Sequence, residues 1–153
     1  MARRRAPTVG YLLWHLALRW RVAVDRALSP LGITHAHYAL LASLHALSRG
    51  GPRPSQRELA DFSGLEVMYV SKLARALERA GLLRRADHPG DPRAFQLGLT
   101  SRGEDLIVQA VSVVGRVHGR LLEPTGGRHS ARTAALMREL ETLLDHAEAR
   151  DGT

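Results

Sequence analysis

The sequence predicts a mainly α-helical fold with one small β-hairpin (α+β), a winged helix-turn-helix flanked on both sides by longer helices. Three observations predict it. Ser55 stands three residues before Glu58, the spacing at which hydroxyl and carboxylate satisfy each other's orphan backbone N–H groups at a helix start. Val70, Leu73 and Leu77 then recur at three- and four-residue steps, one apolar stripe, while Met68, Tyr69, Ser71, Lys72, Arg75 and Arg79 fall on the other faces. Finally, Phe95, Leu97 and Leu99 alternate with Ala94, Gln96 and Gly98 at the strand period, behind a proline- and glycine-containing turn.

Taken in order, residues 1–8 form a basic arm carrying Arg3, Arg4 and Arg5, either a solvated charge run or a supplementary phosphate contact. Val9 to Leu28 carries two apolar stripes, Leu12, Leu16, Trp20, Val24 and Tyr11, Trp14, Leu18, Val22, so this first helix needs two partners. Ser29-Pro30-Leu31-Gly32 breaks it, and Thr34 caps a second helix over residues 35–47. His35 and His37 lie two apart there, point in different directions and do not make an i, i+4 metal pair.

The loop 48–54 leads to the short helix begun by Ser55, for which Leu59, Ala60 and Phe62 supply the apolar contacts. Gly64 turns the chain, and the second helix of the pair starts at about Glu66 and stops at Gly81. Residues 82–85 form a strand, 88–93 a long basic tip, and 95–99 the return strand. Ser101 and Glu104 repeat the capping-box spacing and launch a helix over 102–122 that is apolar on more than one side. After the loop 123–129, Ser130 caps a last helix to about residue 149, with Leu136, Leu140, Leu143 and Leu144 as its stripe.

Composition narrows the function. At 153 residues and 44% hydrophobic content the chain holds one domain with a real core, and its formal charge of +7 favours a polyanionic partner. Without cysteine there are no disulfides, thiolate metal sites or thiol redox sensing. No apolar run reaches the roughly 18 residues of a membrane span, and the start lacks a cleavable leader, so the expected location is the cytoplasm without membrane association. Neither a phosphate-binding glycine loop nor a nucleophile elbow nor a paired-carboxylate constellation is present. An enzyme is not expected, and no cofactor or metal is called for.

A helix pair followed by such a hairpin can set its second helix in a major groove of double-stranded DNA while the hairpin reaches over the backbone. Lys72 and Arg75 then meet phosphates or base edges, with Met68, Tyr69 and Ser71 beside them. For Met68 and Tyr69 the competing role is packing against the preceding helix. Ser55 and Gln56, at a helix N-terminus, are placed to meet phosphate. Arg84, Arg85 and Arg102 count only as general positive surface.

The stretch resembles the MarR family of bacterial transcriptional regulators. The likeness rests on Glu58-Leu59-Ala60, Gly64-Leu65, the run Val70 to Leu73, and LERAGLLRR from Leu77 to Arg85. It extends through Asp91-Pro92-Arg93 in the wing and Leu99-Thr100-Ser101-Arg102-Gly103 after it, with departures at Val67, Met68 and Arg75. The resemblance implies a winged helix-turn-helix over 34–100 and a homodimer built from 9–33 and 101–150, the alternative being that these flanking helices fold back and complete a monomeric bundle. In it, Asp91 orients Arg93 toward the minor groove, or the two form an ion pair that only stiffens the hairpin. A very short third strand is expected beside the wing, vestigial because Pro54 cannot donate to a ladder. The resemblance also implies repression at an inverted-repeat operator and a small aromatic or phenolic effector. Trp14, His15, His37, Tyr38 and Leu41 are candidates for lining its crevice, or are plain core. A different class remains open, a winged module that binds protein or RNA without specific duplex recognition.

Overall fold

A computed structural model describes residues 6–49, 51, 53–88 and 90–151, and leaves the side chains of 88, 91–94, 148, 150 and 151 undescribed. The arginines of the N-terminal arm lie outside the described residues. The order is α1 (Val9–Leu28), a 3-10 turn (Ser29–Leu31), α2 (His35–Ser48), α3 (Gln56–Ser63), α4 (Val67–Arg79), β1 (Leu83–His88), β2 (Asp91–Leu99), α5 (Ser101–Leu121), a second 3-10 turn (Glu123–Thr125) and α6 (Ala131–Asp151). The chain forms two compact units, 1–114 and 115–153.

In the first unit the start of each helix follows from local chemistry. Thr34 caps α2: its hydroxyl accepts the His37 N–H, and the His37 ring nitrogen accepts the Thr34 N–H. Asp25 of α1 accepts the His35 N–H at 2.6 Å, which ties the end of α1 to the start of α2. Ser55 and Glu58 make the expected reciprocal pair at α3, at 3.1 and 2.7 Å. Gly64 ends α3 at φ 67°, a conformation that costs any residue with a Cβ about 1–2 kcal/mol. Helix α4 ends in a Schellman turn, with the Leu82 N–H on the Leu77 carbonyl and the Gly81 N–H on that of Glu78.

The core gathers Leu28 of α1, Leu40, Leu41 and Leu44 of α2, Leu59 of α3, Val70 and Leu77 of α4, Leu83 and Leu97 of the hairpin, and Ile107 of α5. Phe62 does not join it and is 56% exposed. The buried side of α3 centres on Leu59 and Ala60, with Ser63 half-buried, and Phe62 falls roughly 110° around the helix from that centre.

Helix α5 is capped one residue earlier than the Ser101–Glu104 spacing implied. Thr100 is the cap: its hydroxyl accepts the Gly103 N–H and donates to the Gly81 carbonyl, while its own N–H meets the Leu82 carbonyl. The hydroxyl therefore serves the turn after α4 and the start of α5 together. Gly103 is required by contact, because a Cβ there would lie 2.0 Å from the Leu82 carbonyl oxygen. Arg102 is not general surface either, since its guanidinium donates to the Ala80 carbonyl at the end of α4.

In the second unit, the Ser130 hydroxyl accepts the Thr133 N–H at the start of α6. Buried Thr133 donates to the Gly127 carbonyl. Of the stripe on α6, Leu136, Leu143 and Leu144 are exposed and Leu140 is half-buried.

Candidate nucleic-acid interface

Helix α4 divides its residues sharply. With Val70 as origin and 100° per residue, buried Leu73, Ala74 and Leu77 lie within roughly 60° of it, whereas Met68, Lys72, Arg75 and Arg79 lie roughly 140–200° away. Ser71 and Tyr69 flank that outer face at roughly 100° on either side. The structure brings Met68, Tyr69, Ser71, Lys72 and Arg75 together with Glu66 and Arg79 around one shallow surface depression. Met68 is 81% exposed, whereas Tyr69, at 42%, also lines a crevice with Ile33 and Leu65. Arg79 belongs to the same surface, three cations with Lys72 and Arg75.

Ser55 and Gln56 are half-buried at the start of α3, next to the hairpin. Ser55 makes a single antiparallel bridge to Gln96, and the Leu97 N–H donates to the Pro54 carbonyl at 2.8 Å. This is the vestigial third strand, in which Pro54 accepts and is never asked to donate.

The wing is longer in pairing and shorter at its tip than expected. Its antiparallel register runs from Leu83 opposite Leu99 to Asp87 opposite Phe95, then jumps to His88 opposite Asp91. Residues 92–94 therefore have no one-to-one partner, which is where the missing N–H of Pro92 costs no ladder bond. Arg93 sits in this irregular stretch and Asp91 just before it, and the side chains of both lie outside the described residues.

Arg85 is bound where general positive surface was expected. Its Nε and Nη2 both reach Glu78 Oε2 at 2.7 Å, and its guanidinium lies 5.2 Å from the Phe95 ring centre. Glu78 belongs to α4, so this clamp joins the cationic helix to the wing. Sequence reasoning missed it, although an acid on the last turn of α4 and an arginine seven residues on, across a glycine turn, was the available signal.

The candidate effector residues come from two helices, Trp14 and His15 from α1 and His37, Tyr38 and Leu41 from α2. Trp14 is exposed and edge-on to His15, which also contacts the Tyr11 ring and carbonyl. His37 and Tyr38 are half-buried on α2, and burial lowers the His37 pKa and raises that of Tyr38. Leu41 is fully buried core. An open crevice elsewhere in this unit is lined by Arg21, Asp25, Ile33, His35, Leu65 and Tyr69, among others, and none of the five candidates lines it.

A family model described as the MarR family matches residues 33–95. An uncharacterised HTH-type transcriptional regulator of Bacillus subtilis (strain 168), YdcH, is 33% identical over 108 residues, 71% of this chain and 74% of that protein. Among solved structures, the transcriptional repressor CouR bound to a 23-mer DNA duplex aligns with a TM-score of 0.78 at 28% identity, over 90% of this chain and 92% of that one. The S. aureus MepR–DNA complex aligns with a TM-score of 0.79 over 92% of this chain and 98% of that one, a likeness of fold at 24% identity. With a relative this similar over most of both chains, and with the matched segment spanning the helix pair and most of the hairpin, the chain belongs to the MarR family of winged helix-turn-helix transcriptional regulators.

Proposed function

We propose that the chain is a homodimeric transcriptional repressor that binds an inverted-repeat operator in duplex DNA and acts in the cytoplasm without enzymatic activity. The observation that carries this reading is α4, whose four buried residues seat it while Lys72, Arg75 and Arg79 stand exposed on the opposite side. An α-helix fits the major groove of B-DNA, and exposed arginine there can bridge guanine O6 and N7. Ser55 and Gln56 contact the backbone beside it, and Arg93, set by Asp91, enters the minor groove from the wing.

Pairing follows from apolar surface that one chain leaves uncovered. Val9, Leu12, Leu13 and Leu16 of α1 and Leu143 and Leu144 of α6 are all exposed, an arrangement that in a stable protein calls for a partner. A twofold dimer sets its recognition helices about one DNA turn apart, roughly 34 Å or 10 bp. That CouR is a transcriptional repressor bound to duplex DNA supports the repressor reading. Among the described residues no helix is long and apolar enough to cross a membrane. Release by a small aromatic or phenolic ligand completes the proposal, with Trp14, edge-on to His15, and the half-buried His37 and Tyr38 as its contacts.

The test combines sedimentation with competition binding. The expected result is a dimer at micromolar concentration that prefers a palindromic duplex from upstream of its own gene over random duplex by about 10³-fold or more at physiological salt. A monomer, or equal affinity for both duplexes, contradicts the reading. A panel of phenolic acids that changes neither melting temperature nor DNA affinity would remove the ligand clause.

A further inference from the structure

We propose that Arg53 is a phosphodiester-contacting residue, seated on the bare face of Gly98 beside Arg84, so that the outer face of the wing's base grips DNA together with the start of α3. The proposal rests on the duplex-binding reading above.

Gly98 pairs with Arg84 on one side. On its other side the bridge between Ser55 and Gln96 puts residue 53 level with it, two residues along each antiparallel strand. A Cβ built on Gly98 would lie 3.0 Å from Arg53 Nε, 3.1 Å from its Cδ and 3.5 Å from its Cζ. The guanidinium end of Arg53 therefore occupies the space that any other residue at 98 would fill.

Directly opposed residues of a pleated sheet share a face, so Arg53 and Arg84 attach on either side of Gly98, two strand spacings or roughly 10 Å apart. Leu83, Leu97 and Leu99 are buried on the reverse side, which turns this face away from the core. Arg53 and Arg84 are both exposed, and among the described residues neither has a carboxylate partner, in contrast to Arg85. Two like charges held side by side repel in the absence of an anion. Arg53 lies two residues before the Ser55 cap, and the Leu97 to Pro54 hydrogen bond fixes the backbone between them. One phosphate backbone crossing the start of α3 would thus meet Ser55, Gln56 and this pair of guanidinium groups in succession.

The experiment measures anisotropy of a labelled random-sequence duplex of about 30 bp, three helical turns, across 50 to 200 mM salt. The chains compared are wild type, Arg53→Ala, Gly98→Val and the double variant. A phosphate contact contributes about 0.9 to the slope of log K against log salt. Arg53→Ala in a dimer should therefore lower the slope by about 1.8, so that the wild-type advantage shrinks about 12-fold over that range. Gly98→Val keeps every charge but fills the seat. It should weaken binding in the wild-type background and change nothing once Arg53 is alanine. Valine suits a strand, so its melting temperature should not fall, and Arg53→Ala decides the matter alone if Gly98→Val folds poorly. Wild-type slope in Arg53→Ala, or additive losses in the double variant, overturns the assignment of Arg53. Failure of the wild-type chain to bind any duplex overturns the duplex-binding reading and this inference with it.

Discussion

The clamp between Glu78 and Arg85 can be measured separately from DNA. Two of the three guanidinium nitrogens, Nε and Nη2, address the same carboxylate oxygen at 2.7 Å, which forgoes the second oxygen of a fork-to-fork pair. The two side chains are 25% and 34% exposed, so solvent screens the pair only in part. An exposed pair contributes about 0.2–1 kcal/mol, and this one belongs at the upper end of that range. The cation over Phe95 adds about 0.5–1 kcal/mol. Arg85→Ala should therefore cost about 2 kcal/mol, Glu78→Ala about 1 kcal/mol, and the coupling energy from the double-mutant cycle should be about 1 kcal/mol. The assay is urea denaturation of the four chains at one fixed protein concentration, since dimerisation would make stability depend on it. The same chains also report on DNA: the double variant should keep the wild-type salt slope, because the arginine is already neutralised. A coupling energy near zero, or a slope lower by about 0.9 per protomer in the double variant, would refute the assignment of Arg85 as a strut.

Three further outcomes follow from the geometry. Gly103→Ala forces a methyl group onto the Leu82 carbonyl and should cost about 3 kcal/mol or more, read as a large drop in melting temperature, while Gly119→Ala, with open space around it, should show none. Burial lowers the His37 pKa, so the unfolded chain takes up a proton near pH 6.5 before the folded chain does. Stability should hold above that pH and decline as pH falls toward the depressed folded value; His37→Gln, which keeps a capping side chain, should lose that part of the slope in melts between pH 7 and 5, and an unchanged slope would refute it. Leu41→Ala, which truncates a fully buried side chain, should cost 2–5 kcal/mol by urea denaturation, whereas Trp14→Ala should leave the folding of an isolated protomer nearly unchanged and act on dimerisation.

Periodicity made the helices legible, and capping chemistry fixed several of their starts. Thr34, Ser55 and Ser130 each cap the helix they were expected to cap, because an N-cap bond involves residues only three apart. The outward-facing set on α4 was legible for the same reason, since one amphipathic helix sorts its own residues. What escaped reading depends on partners distant in sequence. Thr100 displaces Ser101 as the cap because the turn at Gly81, nineteen residues earlier, offers its hydroxyl a carbonyl. Phe62 looks like core until the short α3 is docked and its buried side is seen to lie elsewhere. Arg85 looks like one more surface cation until strand pairing sets it beside Phe95 and below Glu78. The wing tip was misjudged because two prolines suggested a loop, whereas a register jump accommodates Pro92 within a strand.

The most direct measurement of the central claim is sequence preference by a randomised-duplex selection, carried out on the wild-type chain, Lys72→Ala and Arg75→Ala. If α4 reads the major groove, the wild type should enrich an inverted repeat whose half-sites lie about 10 bp apart, and Arg75→Ala should lose discrimination at one base step per half-site, about 1–3 kcal/mol. Enrichment of the same motif to the same degree by all three chains, or of none by the wild type, would contradict it.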